Sequence, residues 1–320
     1  VNMNEPFAIE TKNLTKKYKK TLAVDHLNLQ VPRGALFGFI GRNGAGKTTT
    51  LRMLAGLLEP TAGEVWMNGE RVEKKSRNIH RLIGYMPDFF GVYDDMFVWE
   101  YLDFYARCYG LPPARRKKLI DELLDLVNLT DKRDANVQAL SRGMQQRLCL
   151  AHALIHEPQI LLLDEPASGL DPRARIEMRE LLKELAAMGK TIVVSSHILP
   201  ELAEMCSHIG IVEQGKLVAN GDTNAIRRQL QASRILRVRV LTDSVRALEL
   251  LQSARGVGEP SVVAATEHST TLEMEFQGDD HAAAMVLAEL VTRGAPIAEF
   301  SEGGNALEEV FLQLTAAENA

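Results

Sequence analysis

The sequence predicts an α/β fold: a large domain built on an open sheet with buried parallel strands, followed by a small α+β module. Three observations carry this. A glycine-rich loop, Gly41 to Thr48, joins an apolar run, Leu36 to Ile40, to a helix-compatible run, Thr49 to Leu58. A second apolar run, Ile160 to Leu163, ends in two acids, Asp164 and Glu165, and a third, Thr191 to Val194, ends in Ser195-Ser196-His197. From about Ser233 the pattern changes to alternating strands and amphipathic helices. Short apolar runs closed by polar residues are the signature of buried parallel strands, and such sheets present ligands at the carboxyl ends of their strands.

The elements follow in order. Residues 5–35 read as antiparallel strands, Phe7 to Asn13 and Thr21 to Val31, separated by a basic turn, Lys16 to Lys20. Residues 36–95 hold the glycine loop, its helix and a strand pair around Glu64 to Met67. From about Met96 to Glu157 the pattern is helical. Residues 158–230 alternate strand and helix again, with a hairpin turn at Glu213-Gln214-Gly215-Lys216. In the tail, Ile235 to Leu241 and Leu272 to Phe276 alternate as strands, Ser244 to Ala254 and Val286 to Val291 read as helices, and Pro296 to Phe300 begins another strand. The order β-α-β-β-α-β predicts a ferredoxin-like unit over 233–320. A closing helix presents Leu307, Val310, Phe311 and Leu314 on one stripe.

The loop fits G-x-x-x-x-G-K-[ST] in the strand–loop–helix context that this pattern requires. Its glycines at 41, 44 and 46 let successive N–H groups point at one anion, and a helix start adds a favourable dipole. Lys47 can reach β- and γ-phosphates, and the Thr48 hydroxyl can ligate Mg²⁺. A bare glycine turn would have no need of a lysine–threonine pair in register, so the loop implies a nucleoside triphosphate. Asp164 is placed to hold Mg²⁺ and Glu165 to orient or deprotonate an attacking water. Taken alone, two acids closing a strand would be solvated turn charge, and a lone His197 would be structural; beside Ser168-Gly169-Leu170-Asp171 and the loop, His197 reads as a γ-phosphate contact.

Leu140-Ser141-Arg142-Gly143-Met144-Gln145-Gln146-Arg147 precedes a helical pattern, with Ser141 a natural N-cap. Here the chain resembles the ATP-binding cassette (ABC) family, whose signature reads L-S-G-G-Q, and the resemblance covers about two-thirds of the chain. It implies a P-loop NTPase domain over 5–232: a RecA-like core, an antiparallel β subdomain and an inserted helical subdomain at about 96–157. It implies that Tyr18 stacks on the adenine of ATP and that Gly41, Asn43, Gly44, Ala45, Gly46, Lys47, Thr48 and Thr49 hold its phosphates. Ser141 and Gly143 would contact the γ-phosphate of a second copy in an ATP-sandwich homodimer. Asp164 and Glu165 look like the acidic pair of the family, Ser168 to Asp171 its following loop and His197 its switch histidine. Two positions depart from the pattern. Arg142 and Met144 stand where glycine and glutamine are commonest, and Asp88, after Gly84-Tyr85-Met86-Pro87, stands in place of a glutamine. Asp88 is either a Mg²⁺ ligand or a turn residue.

Composition agrees. The net charge is −5 and the pI about 6.0, which argues against nucleic acid as a partner. No apolar run approaches the roughly 20 residues that span a bilayer. Three scattered cysteines without metal spacing read as reduced thiols. More than half of the aromatic residues lie between Tyr85 and Tyr109; most belong to a core, while Phe89, Phe90 and Tyr93 are candidates for contact with an integral-membrane permease. The tail, with Leu307 to Leu312, resembles ATPase subunits of type-2 ABC exporters. The expectation is an ATP hydrolase on the cytoplasmic face of the cell membrane that powers a separate exporter. An importer subunit and a soluble, non-transport ABC ATPase are the alternatives.

Overall fold

An antiparallel layer is formed by β1 (Phe7–Tyr18), β2 (Thr21–Leu27) and β3 (Gln30–Pro32). After β4 (Leu36–Ile40) and α1 (Lys47–Leu54), the pair β5 (Ala62–Met67) and β6 (Glu70–Arg71) completes it, in the order β2-β1-β5-β6 with β3 also on β1. The run 21–31 is broken because His26 takes φ 48 and the Asn28 side chain bonds sideways. Asn28 Oδ1 accepts from the Asn13 N–H at 2.8 Å, and its Nδ2 donates to His26 O at 2.9 Å. The computed structural model describes residues 6–72, 79–89, 91, 95–226, 234–241, 244–266 and 268–303.

The second sheet holds the strand that leads into the glycine loop. β4, β7 (Ile83–Met86), β8 (Ile160–Leu163), β9 (Thr191–Ser196), β10 (His208–Glu213) and β11 (Lys216–Asp222) lie in the order β11-β10-β4-β9-β8-β7. All pairs are parallel except the β10–β11 hairpin, whose turn residues Gln214 and Gly215 both have positive φ. Every residue of β4, β8 and β9 is buried, as a sheet covered on both faces requires. The carboxyl ends of β4, β8 and β9 therefore come together on adjacent strands. α1 begins two residues before the helix expected from the pattern and ends earlier, at Leu54. Gly56 at φ 69 stops it, and the Leu57 and Leu58 N–H groups turn back to Arg52 O at 2.9 and 3.1 Å.

α2 (Ile79–Leu82) leads into β7. Between β7 and β8 lie α3 (Val98–Cys108), α4 (Pro113–Leu126) and α5 (Arg142–Leu154). α4 buries Leu119, Ile120, Leu123 and Leu124, one face of a 3.6-residue helix. The aromatic cluster of the sequence is largely core here. Tyr101 is fully buried, Tyr105 stacks on His152 with centroids 3.6 Å apart, and the Tyr101 hydroxyl lies 3.3 Å from His152 Nδ1. Burial, with His156 nearby as a lesser cause, pushes the His152 imidazole down to about 4. His156 stacks on Tyr109 and its Nε2 lies 2.9 Å from Ile83 O, so α3, α5 and the start of β7 share one aromatic–imidazole seam.

After α6 (Pro172–Ala187) and α7 (Leu199–Met205), the chain passes from one compact unit, Val1–Thr223, to another, Asn224–Ala320. The second unit contains β12 (Arg234–Leu241), α8 (Ser244–Ser253), β13 (Ser261–Ala265), β14 (Ser269–Phe276), α9 (Asp280–Thr292) and β15 (Ile297–Gly303). Its sheet runs β13-β14-β12-β15, antiparallel throughout. Leu236, Val238 and Val240 of β12 and Leu272, Met274 and Phe276 of β14 form a core with Ala247, Leu251, Val286 and Leu290 of the helices. Leu307, Val310, Phe311 and Leu314 lie outside the described residues, as do Phe90 and Tyr93.

Candidate nucleotide site

The glycine loop is held at both ends and open in the middle. The Gly41 N–H donates to Ser196 O at 3.2 Å, tying its start to the end of β9, and the Gly215 N–H donates to Ala45 O at 2.9 Å. A Cβ on Gly41 would lie 2.4 Å from Val212 O, and one on Gly46 would lie 2.4 Å from Ala23 O. Gly46 also sits at φ 104, a left-handed conformation that favours glycine. Between these anchors Arg42, Asn43 and Gly44 are exposed. α1 starts at Lys47 with no side-chain cap and no acid in its first turn. Its first N–H groups have no partner within the helix, an arrangement that suits an anion. Thr48 and Thr49 in that turn are half-buried.

Lys47 is 6% exposed and points back into the loop. Its Nζ donates to Gly41 O at 2.6 Å and Arg42 O at 3.2 Å, and lies 3.3 Å from Glu165 Oε1. The last contact is an ion pair whose alignment falls short of a hydrogen bond, since Glu165 Oε1 has no hydrogen-bond donor. On its other side, Glu165 Oε2 is 3.0 Å from His197 Nδ1. The Glu165 carboxylate is thus bracketed by Lys47 from β4's loop and His197 from the end of β9.

The bracket depends on a residue to which the sequence assigns no role. Ser195 Oγ donates to Asp164 Oδ1 at 2.7 Å and accepts the Glu165 N–H at 3.0 Å. One hydroxyl therefore orients both acids, and it holds Glu165 at φ 50, a conformation that costs a non-glycine residue about 1 kcal/mol or more. A small polar residue following the apolar run of that strand, two positions before His197, is the signal that could have marked it. Asp164 is 1% exposed, and its Oδ2 has no partner. A buried, unsatisfied carboxylate oxygen at a strand end suits a cation. No group of three or more His, Cys, Asp or Glu side chains is placed to hold a metal among the described residues. Magnesium fits such a sparse donor set, since it keeps most of its shell from water and phosphate. The Asp164 N–H donates to Met86 O at 2.9 Å, so Asp88, in an exposed bend two residues beyond β7, leaves the sheet at the same edge.

Ser141 and Gly143 form a different cluster. Ser141 caps α5, its Oγ accepting the Met144 N–H at 3.3 Å. With Arg142, Gly169 and Asp171 they line a cleft of about 230 Å³ whose lining includes none of the loop residues 41–49. Tyr18 ends β1, not a turn; it is 45% exposed, with Lys16 Nζ 5.3 Å from its ring centroid. It pairs with Thr21 on the hairpin whose Ala23 carbonyl abuts Gly46. Phe89 is 85% exposed just beyond β7.

The ABC transporter family profile matches residues 24–168. The bacitracin transport ATP-binding protein BcrA of Bacillus licheniformis is 44% identical over 211 residues, 66% of this chain and 68% of its own. The chain belongs to the ABC transporter ATP-binding family. The Nod factor export ATP-binding protein I of Ralstonia nicotianae is 34% identical over 310 residues, 97% of this chain and 94% of its own, so that similarity includes the tail. Among solved structures, an ATP-binding subunit of an ABC transporter superposes with a TM-score of 0.63 at 32% identity, over 69% of this chain and 92% of that one. A dimeric cassette in a post-hydrolysis state with ADP and Pi gives 0.62 at 27% identity, over 67% and 98%. The chain is an ATP-binding, ATP-hydrolysing ABC transporter subunit with the P-loop NTPase fold. Among the described residues no helix is long and apolar enough to cross a membrane.

Proposed function

We propose that this subunit hydrolyses ATP in a homodimer and thereby drives an exporter formed by a separate integral-membrane permease, at the cytoplasmic face of the membrane. The observation that carries the chemistry is the Glu165 carboxylate set between Lys47 and His197, on a backbone pinned by Ser195. In this reading Gly41, Asn43, Gly44, Ala45, Gly46 and Thr49 cradle the phosphates with their N–H groups, and Lys47 neutralises the β- and γ-phosphates. Glu165 takes the proton of the attacking water, and His197 orients Glu165 and touches the γ-phosphate. Thr48 and Asp164, with Asp88 at the same sheet edge, would hold Mg²⁺, which supplies charge neutralisation to the phosphates. Tyr18 provides a face for adenine.

Ser141 and Gly143 act on the nucleotide of the partner copy. This is supported by their place in a cleft apart from the loop, and by Gly143 itself. A Cβ there would meet Ala174 at 3.4 Å, an ordinary contact, so nothing among the described residues demands glycine. The export direction rests on relatives named for bacitracin transport and Nod factor export. The exposed Phe89 is the proposed permease contact. We further propose a cassette domain over 5–232 and a ferredoxin-like accessory domain over 233–320, the latter supported by the β-α-β-β-α-β order and the β13-β14-β12-β15 sheet. Nucleic acid has no place in this scheme.

Glu165→Gln tests the central assignment. It removes the base and leaves the phosphate cradle, so turnover should fall at least 100-fold while ATP affinity stays within about threefold. Hydrolysis within about threefold of wild type would show that Glu165 is not the base.

A further inference from the structure

Arg142 is the residue at which this chain departs from the family's commonest signature, and its side chain lies on another catalytic-edge element. A Cβ built on Gly169 would be 2.4 Å from Arg142 Cζ, 2.4 Å from Nη1 and 2.7 Å from Nη2. Three guanidinium atoms at nearly equal range mean that the plane of the group meets the Gly169 backbone face-on. Gly169 is at φ 68. One turn along α5, Gln146 donates its Nε2–H to Ser168 O at 3.1 Å, and from α6 Arg175 donates its Nε–H to Leu170 O at 3.1 Å. Three consecutive loop residues are thus each gripped by a side chain. The carboxylates of this cleft are engaged elsewhere: Glu177 pairs with Arg147 and Arg173, and Asp171 caps α6. Among the described residues, packing on Gly169 is therefore the contact that places the Arg142 guanidinium.

The gripped loop begins at Glu165. The Ser168 N–H donates to Glu165 O at 2.9 Å and the Leu170 N–H to Ala167 O at 3.4 Å. We infer that Arg142 is a positioning residue for hydrolysis: its guanidinium, together with Gln146, fastens the Ser168–Leu170 loop to the first turn of α5 and through that loop sets the backbone of Glu165. Ser141 and Gly143 stand on the same first turn. A nucleotide seated on them would load the base of the same chain through this fastening. The inference rests on Glu165 being the base.

The test uses the full chain with Arg142→Gly, Arg142→Lys, Gly169→Ala and the double variant Arg142→Gly with Gly169→Ala. Steady-state ATPase kinetics are measured beside amide hydrogen exchange of the 165–171 segment. Arg142→Gly should lower kcat about tenfold with KM for ATP within about twofold, and exchange of 168–170 should quicken. Arg142→Lys should fall equally far, because an ammonium keeps the charge but not the flat face. Gly169→Ala should cost less in the Arg142→Gly background than alone, since the group that its Cβ strikes is gone. Unchanged kcat and exchange in Arg142→Gly, full activity in Arg142→Lys, or strictly additive losses would each overturn the inference. If Glu165→Gln retains hydrolysis, the base assignment fails separately. Exchange of 168–170 then decides: quickened exchange in Arg142→Gly upholds the fastening and unchanged exchange refutes it.

Discussion

Lowering the pH should loosen the ATPase unit through His152, and the loss can be worked from its surroundings. His152 is stacked on Tyr105 and lies beside the Tyr101 hydroxyl, and burial moves it from an ordinary value of 6.5 down to about 4. Above pH 6.5 the imidazole is neutral in both folded and unfolded chains, and the full stability is present. Below 6.5 the unfolded chain takes up a proton that the folded chain refuses. Stability therefore falls with pH until about 4, where the folded form also protonates. At about 1.4 kcal/mol per pH unit, the full window is worth about 3 kcal/mol, and about 2 kcal/mol of it is lost by pH 5. The assay is denaturant unfolding at pH 8 and pH 5, read by tryptophan fluorescence, for wild type and His152→Gln. Both tryptophans, Trp66 and Trp99, lie in the first unit, so the signal reports that unit. His156, which burial also shifts downward, is present in both proteins and drops out of the comparison. Wild type should lose about 2 kcal/mol more than the variant between the two pH values. Parallel losses would refute the claim that the seam excludes a charged imidazole.

Two further outcomes follow from the proposed arrangement. Lys47→Ala should lose nucleotide affinity while Ser141→Arg keeps monomer binding and blocks hydrolysis. Mixing the two should recover part of the activity, and mixed dimers shown to form without recovery would exclude a site shared between copies. Phe89→Ala should leave ATP hydrolysis within about twofold yet lower transport in membranes containing the cognate permease; undiminished transport would remove Phe89 from the docking surface.

Much of the site was legible because it is local. The spacing Gly41-x-x-x-x-Gly46-Lys47-Thr48 encodes its own geometry, and Ser141 capping α5 needs only its own three following residues. What reaches across strands was not legible. Which strand flanks β8 is set by packing, so the polar residue at 195 can be noticed along the chain, but its bridge from Asp164 to Glu165 cannot be derived there, nor can the place of Arg142 on Gly169. The fold divides in the same way. β4, β8 and β9 announce themselves as unbroken apolar runs, whereas β13, whose side chains are exposed on both faces, has no alternation to betray it. Tyr18 was placed in a turn by its four lysine neighbours, yet pairing with Thr21 keeps it in the strand.

The bonds of Lys47 to Gly41 O and Arg42 O have a consequence for how any variant at this position is interpreted. The ammonium is a strut inside the loop as well as a charge, since it bonds the carbonyls of two consecutive loop residues. Removing it subtracts the charge and lets the scaffold of the loop relax at once. The resulting loss of affinity measures both and separates neither. A lysine analogue of the same length with a neutral, hydrogen-bond-donating tip would keep the brace and delete the charge. The difference between that protein and the alanine variant is the mechanical share of what is ordinarily credited to electrostatics.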